Sequence, residues 1–309
     1  MKKFWKMTLF PGLFCVLAGL AIGAILVFGY ADELREHADE FSINEDNFFE
    51  YFDSDRFISV TRDGKRYDKS ETRESYHFAV EEEENVTGAV FELAVGEVEI
   101  RTGDTMELVV TDMFEDAISS YVEDGIWYIN DSLLGSGSVH SDYSPDIVIT
   151  IPEDASFEQM NVYLAAGRMD ADNLSALELH LEVDAGSLKV FHLTAEDMLT
   201  VENGAGEIKL YDVTASNLTV NQGVGAIDIT GAVTGNNVIK GGIGEIKLTL
   251  TNRERVDFNY KVTGGIGEVE IADMVIHGDS TNMSYDRDLA DYFEVDCGIG
   301  RVEIDVDGN

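Results

Sequence analysis

The feature that most restricts the fold of this chain is a short glycine motif that returns at a nearly constant interval. Close copies are Gly204-Ala-Gly-Glu-Ile-Lys-Leu210, Gly223-Val-Gly-Ala-Ile-Asp-Ile229, Gly242-Ile-Gly-Glu-Ile-Lys-Leu248, Gly265-Ile-Gly-Glu-Val-Glu-Ile271 and Gly298-Ile-Gly-Arg-Val-Glu-Ile304. Weaker copies begin at Ala94, Ala165 and Asp184. The shared glycines are Gly96, Gly167, Gly186, Gly206, Gly225, Gly244, Gly267 and Gly300. From Gly167 to Gly244 they are nearly evenly spaced, and the last two gaps are longer. A period of about 20 residues marks a repeat architecture, in which one small unit buries its apolar face only against its neighbours.

Around each glycine, the positions five before, two after and four after are apolar in every copy; around Gly225 they are Val220, Ile227 and Ile229. The residues between them are mostly polar. This alternation with period two is that of a strand with one buried face. So short a unit is too small for a strand–helix–strand crossover, which takes about 30 residues. Stacked coils solve the burial problem instead, each pairing with the next at about 4.8 Å. No proline follows Pro152, so no ladder donor is lost there. The reading is an all-β chain: a β-solenoid, a single-stranded β-helix of about 19–20 residues per coil. Regular coils cover 155–309, and an elaborated first section covers 86–154. The glycines are expected at a corner, where a positive φ and close backbone approach exclude other residues.

Outward positions three after the glycine form a row: Asp170, Lys189, Lys209, Asp228, Lys247, Glu270 and Glu303. Lys209, Asp228 and Lys247 alternate in sign across neighbouring coils, a pattern that supports a sheet by tenths of a kcal/mol up to about 1 per pair. The long last gap is expected to keep Glu270 and Glu303 apart. Val302–Val306 is expected to be the C-terminal edge, with Asp305 and Asp307 discouraging edge-to-edge pairing.

Ahead of the repeats, Lys2, Lys3 and Lys6 precede an uncharged stretch from Met7 to Tyr30. About 20 apolar residues span a bilayer as a helix. Lysines before it, and Asp32, Glu33 and Glu36 after it, place the N-terminus in the cytoplasm and the remainder outside. Its length favours a retained anchor over a cleaved signal peptide, whose apolar core is shorter. Residues 1–30 thus form a cytoplasmic tip and one N-terminal transmembrane helix, and residues 31–85 read as an acidic juxtamembrane stalk. All 60 acidic side chains lie beyond residue 30, with 18 of the 21 basic ones, a net charge of −42. That charge excludes nucleic acid as a partner. Cys15 falls in the apolar run and Cys297 far beyond it, so no disulfide is expected.

Candidate chemistry is sparse. The glycine motif is not a dinucleotide fingerprint, since no helix follows it and it recurs. Gly241–Leu248 places Ile246 where a calcium nonapeptide needs Asp. The six histidines lack zinc-site spacing, apart from a loose His180/His192 pair. Trp127, Tyr128 and Tyr143 suit core or loop packing better than sugar stacking. No catalytic, cofactor-binding or metal residue is assigned, and no cofactor is expected.

The strand Ile147-Val-Ile-Thr-Ile-Pro-Glu-Asp154, followed by the recurring Gly-x-Gly-Glu-Ile-x-Leu copies, resembles the bacterial adhesin-like β-solenoid domains of unknown function on membrane-anchored envelope proteins. The resemblance covers about residues 86–309. It implies a β-helical fold and an extracytoplasmic location, and it supplies no catalytic residues. The expected function is non-enzymatic: a surface presented at the cell envelope to a protein or a cell-wall glycan, on a single-pass anchor. The alternative is an accessory of envelope-stress signalling that acts through membrane-protein contacts. Gly19-Leu-Ala-Ile-Gly23, with its helix-pairing spacing, motivates that alternative. Oligomeric state is left open.

Overall fold

The computed structural model describes residues 59–60, 66–67, 73–81, 85–133, 143–263, 265–272, 274–277, 282–285 and 287–306. The apolar run at 7–30, most of the acidic stalk and the loop Leu134–Ser138 lie outside the described residues. Among the described residues every regular element is a β-strand, and no helix is long and apolar enough to cross a membrane.

The strands stack in register as the repeat requires. Gly225 pairs with Gly206 on one side and Gly244 on the other, and Ile227 lies between Ile208 and Ile246. The apolar positions at all three repeating offsets are buried in every copy. Each Val, Leu or Ile among them stabilises the fold by about 1.5–3 kcal/mol when fully removed from water. Inward alternation thus makes one continuous core along the stack.

The regular coils have a third side that the sequence reading did not separate. Gly231–Thr234 pairs with Val213–Ser216, one residue out of step with the strand before it. The corner leading to this side falls at Asn173, His192 and Asp212, with φ of 57°, 56° and 53°. Asn, Asp and His enter this left-handed region more readily than other non-glycine residues.

At the C-terminal end the rungs leave chain order. Ile299–Val306 pairs on one edge with Ile243–Leu250 and on the other with Ile266–Ile271. On the pre-glycine side, Tyr292–Asp296 likewise lies between Asn236–Lys240 and Asn259–Thr263. The last strands therefore occupy a slot between two earlier rungs, and Val302–Ile304 is interior rather than an edge, with Asp305 and Val306 paired on one side. The expected separation of Glu270 from Glu303 is also corrected, because they are direct cross-strand partners. Their repulsion is offset by Arg301, whose guanidinium pairs with Glu270 and lies 2.7 Å from Glu303.

Two polar side chains hold the skipped position open. Arg253 is buried where the chain leaves the coil, donating to the Val233 carbonyl at 2.7 Å, to Asp291 at 2.9 Å and to Asp257 at 2.8 Å. Asn237, fully buried, accepts from the Leu218 amide and donates to the carbonyls of Gly235 and Tyr292. It thereby ties together rungs that are far apart in sequence.

Both ends of the parallel stack are closed by antiparallel strands. Met274–His277 and Asn282–Tyr285 cover the C-terminal end. At the other end, Glu107–Phe114 runs antiparallel to Asp146–Pro152 and to Arg73–Ala79. The sheet thus takes in Arg73–Ala79, which the sequence reading gave to the stalk. Tyr76 and Phe78 pack on the core there, and Arg73 bonds Asp112 at 2.7 Å. Trp127 is buried edge-on to Phe91 at 5.1 Å, and Tyr143 stacks on Phe114 at 4.4 Å, so both are core residues.

Candidate functional site

The surface is organised by the glycine corner. Seven of the eight repeat glycines have φ between 131° and 149°; Gly267, in the outermost coil, has no such φ but packs its backbone on Gly300. At Gly225 the reason for glycine is direct, since a Cβ would lie 1.9 Å from the Gly206 carbonyl oxygen. The sequence reading missed the side chains that brace this corner from inside. Asn203 donates to the Gly206 carbonyl at 3.1 Å, and Gln222 donates to the Gly225 and Glu245 carbonyls at 2.8 and 2.9 Å. Cys297 holds the equivalent inward place beside the Gly300 carbonyl. It is a buried free thiol, and burial pushes its pKa up.

The residue before each repeat glycine is half-buried to exposed at this corner, and Val95, at the N-terminal end, packs on the core. Along the stack this row reads Val95, Ala166, Ala185, Ala205, Val224, Ile243, Ile299 and Ile266 in spatial order. Over the regular coils it grows from methyl to sec-butyl side chains toward the C-terminal end. Ile243, Ile299 and Ile266 are 42%, 51% and 73% exposed, on three adjacent rungs. They form an uncovered aliphatic ladder on a strongly acidic molecule.

The post-glycine side is a charged sheet with its cations in use. Lys209, Asp228 and Lys247 are cross-strand neighbours as read from sequence. The lysines nevertheless turn elsewhere: Lys209 to Glu207 at 2.6 Å, and Lys247 to Glu303 at 2.5 Å and Asp305 at 3.2 Å. Lys247 holds the nearly buried Glu303 below its ordinary pKa, and Glu303 in turn raises that of Lys247. Arg301 also approaches Glu245 and Glu268, so its one side chain spans all three of the adjacent rungs. Lys189 lies 4.6 Å above the Phe191 ring, which stacks on Tyr211.

The pre-glycine side carries a different group. His180, Glu182 and Glu202 present ligand atoms that all lie within 4.8 Å of one another. Glu182 and Glu202 stand at the same place on successive coils, four positions before Gly186 and Gly206. Asn221, one coil further on, donates to Glu202 at 2.8 Å. Tyr163 hydrogen-bonds Asp184 alongside. Burial, then Glu202 and Asp184, raise the pKa of Glu182. The structure separates His180 from His192, which the sequence had loosely paired. His192 sits at the next corner, with Nδ1 2.7 Å from Asp172 and Nε2 3.7 Å from Asp212. The hydrogen bond to Asp172 raises its pKa. Coil-period spacing was the available signal for the His180 group, because Glu182 and Glu202 are one coil apart and His180 precedes Glu182 on the same strand.

Comparison with known proteins gives similarities to solved structures and to one family. A candidate cell adhesion protein from Clostridium sporogenes is 16% identical, with 76% of this chain and 100% of that chain covered and a TM-score of 0.34. Candidate adhesins from Bacteroides fragilis and Parabacteroides distasonis are 14% and 13% identical, each covering 76% of this chain and 98% of theirs, with TM-scores of 0.35 and 0.24. A search among curated proteins found no match. The family model for Toastrack DUF4097 matches residues 129–286, just over half of the chain, and covers the regular coils ahead of the last rung. With its stacked glycine corners, its alternating inward residues and that match, the chain belongs to the Toastrack DUF4097 family.

Proposed function

We propose that this protein is a non-enzymatic, membrane-anchored β-solenoid outside the cytoplasm, and that the aliphatic end of its glycine corner binds another envelope protein. The observation that carries the reading is the Ile243–Ile299–Ile266 ladder. Scattered exposed apolar residues are ordinary, but a contiguous set on a charged surface marks an interaction site. Here the set sits at one end of a body whose net charge beyond residue 30 is −42, from 18 basic and 60 acidic side chains. The protein partner is favoured over a glycan because the ladder offers apolar contact and few hydrogen-bonding groups. The anchor rests on the uncharged Met7–Tyr30 stretch and the lysines before it. A photo-crosslinking side chain placed at Ile266 in cells tests the reading, with Asp228 on the charged face as control. A discrete protein adduct from position 266 and none from 228 supports the docking role. Equal or absent labelling at both positions refutes it.

A further inference from the structure

We propose that His180, Glu182 and Glu202 form a binding site for a borderline divalent transition-metal ion of the zinc type. The three donors come from two successive coils, so the stack itself fixes their separation. His180 Nε2 is closed off from solvent and has no hydrogen-bond partner, although it faces the Glu182 carboxylate at 4.0 Å. A ring nitrogen enclosed in this way without a partner loses its hydration for nothing unless something binds it.

The carboxylates make the same point independently. Like charges directly opposite on neighbouring strands destabilise a sheet. One such pair elsewhere on this molecule, Glu270 and Glu303, is bridged by Arg301. Among the described residues, no Lys or Arg is ion-paired with Glu182 or Glu202. A divalent cation would supply the missing charge between them.

The donor set selects the class of ion. One imidazole with two carboxylates suits zinc and its neighbours, whereas calcium and magnesium take oxygen ligands almost alone. Metal–donor bonds of about 2.0–2.2 Å in a tetrahedral site set donors about 3.4 Å apart. The 4.0 Å from His180 to Glu182, and separations that nowhere exceed 4.8 Å, close to that by small side-chain rotations. Asn221 holds one oxygen of Glu202 at 2.8 Å, the kind of support that orients a metal-bound carboxylate. Three protein donors leave positions for water or for a group from a partner.

Calorimetric titration of Zn²⁺ into the metal-stripped full chain in detergent micelles tests the site. The expected result is one equivalent bound more tightly than any remaining weak binding. His180→Ala and Glu202→Gln should each weaken that equivalent by about 10-fold or more, since even supporting groups around metal ligands are worth that much. His192→Ala, at a separate histidine–carboxylate cluster, should leave it unchanged. Glu182→Gln is nearly isosteric and keeps the result interpretable, provided its melting temperature in chelator matches that of the parent. Three results overturn the proposal: no saturable equivalent, loss caused only by His192→Ala, or displacement of Zn²⁺ by equimolar Ca²⁺ or Mg²⁺.

Discussion

Replacing Gly225 with alanine tests the corner more sharply than any truncation, because the structure supplies its own control. At Gly225 the backbone has φ of 132°, a region that costs a side-chain-bearing residue about 1–3 kcal/mol. The new methyl would also lie 1.9 Å from the Gly206 carbonyl oxygen, 2.9 Å from its carbon and 3.0 Å from its nitrogen. These are backbone atoms in a ladder paired on both sides, so relief requires two rungs to part. Overpacking of that kind costs about 1–3 kcal/mol more. The expected loss is therefore ~2–6 kcal/mol for Gly225→Ala. Gly241 lies close by, at the next corner, with no left-handed φ and no atom nearer than 3.6 Å to where its Cβ would stand. Gly241→Ala should stay within about 0.5 kcal/mol of the parent or gain slightly. Urea unfolding followed by far-ultraviolet circular dichroism gives both values. Hydrogen exchange then shows whether the loss is centred on the strands around Ile208, Ile227 and Ile246, as nearest-neighbour coupling requires. If the two variants unfold within about 0.5 kcal/mol of each other, the corner does not depend on close backbone approach and the reasoning fails.

Four other outcomes are expected. Deleting residues 287–309 removes the rung between Ile243–Leu250 and Ile266–Ile271; limited proteolysis should then cut within 251–285 while Phe157–Thr234 stays protected. Arg253→Ala strips the buried partner from Asp291 and should lower stability by about 3–5 kcal/mol in a denaturant melt. Asp131, buried and accepting the Ala94 and Leu133 amides, has its pKa raised by burial from 3.8 to about 6. A raised folded value means that its contribution is fully present below about pH 4 and is lost as pH rises through about 6, a difference of roughly 3 kcal/mol. Asp131→Asn should remove that component, so the two stability–pH curves should change separation between about pH 4 and 7 and run parallel outside that window. External protease on intact cells should remove a C-terminal tag while a cytoplasmic control survives; protection of the tag would refute the proposed orientation.

The coil was readable because its rule repeats. Val220, Ile227 and Ile229 each recur at one fixed offset from a glycine, and alternation with period two leaves them one buried face. The third side escaped notice because Val213–Ser216 and Gly231–Thr234 are short and stand one residue out of step with the strands before them. Stack order escaped for a different reason. Gly267 and Gly300 carry the same motif, and a motif states which residues stack but not which neighbour each takes. That choice is made by Arg253 and Asn237, whose bonds reach Asp291 and Tyr292, far along the chain. The His180 group was hidden in a chain with 60 acidic residues, where carboxylates close together in sequence are common. Only the coil period brings Glu202 beside Glu182. The aliphatic ladder was visible as the middle residue of each Gly-x-Gly, yet alternation alone does not say that the corner turns those side chains outward.

The out-of-order rung also sets a timetable. Coils from Phe157 to Leu250 each join the coil immediately before them in the chain, so each can zip onto its predecessor as the chain emerges. The last rung cannot follow that rule. Val302 must find Ile246 on one side and Val269 on the other, both more than a full coil back along the chain. Closing loops of that length comes late and slowly. Until it happens, Ile243–Leu250 offers a raw strand edge, open to any extended segment that arrives first. A half-made molecule is therefore a strand acceptor and the finished one is not, which links the end of synthesis to the loss of that stickiness.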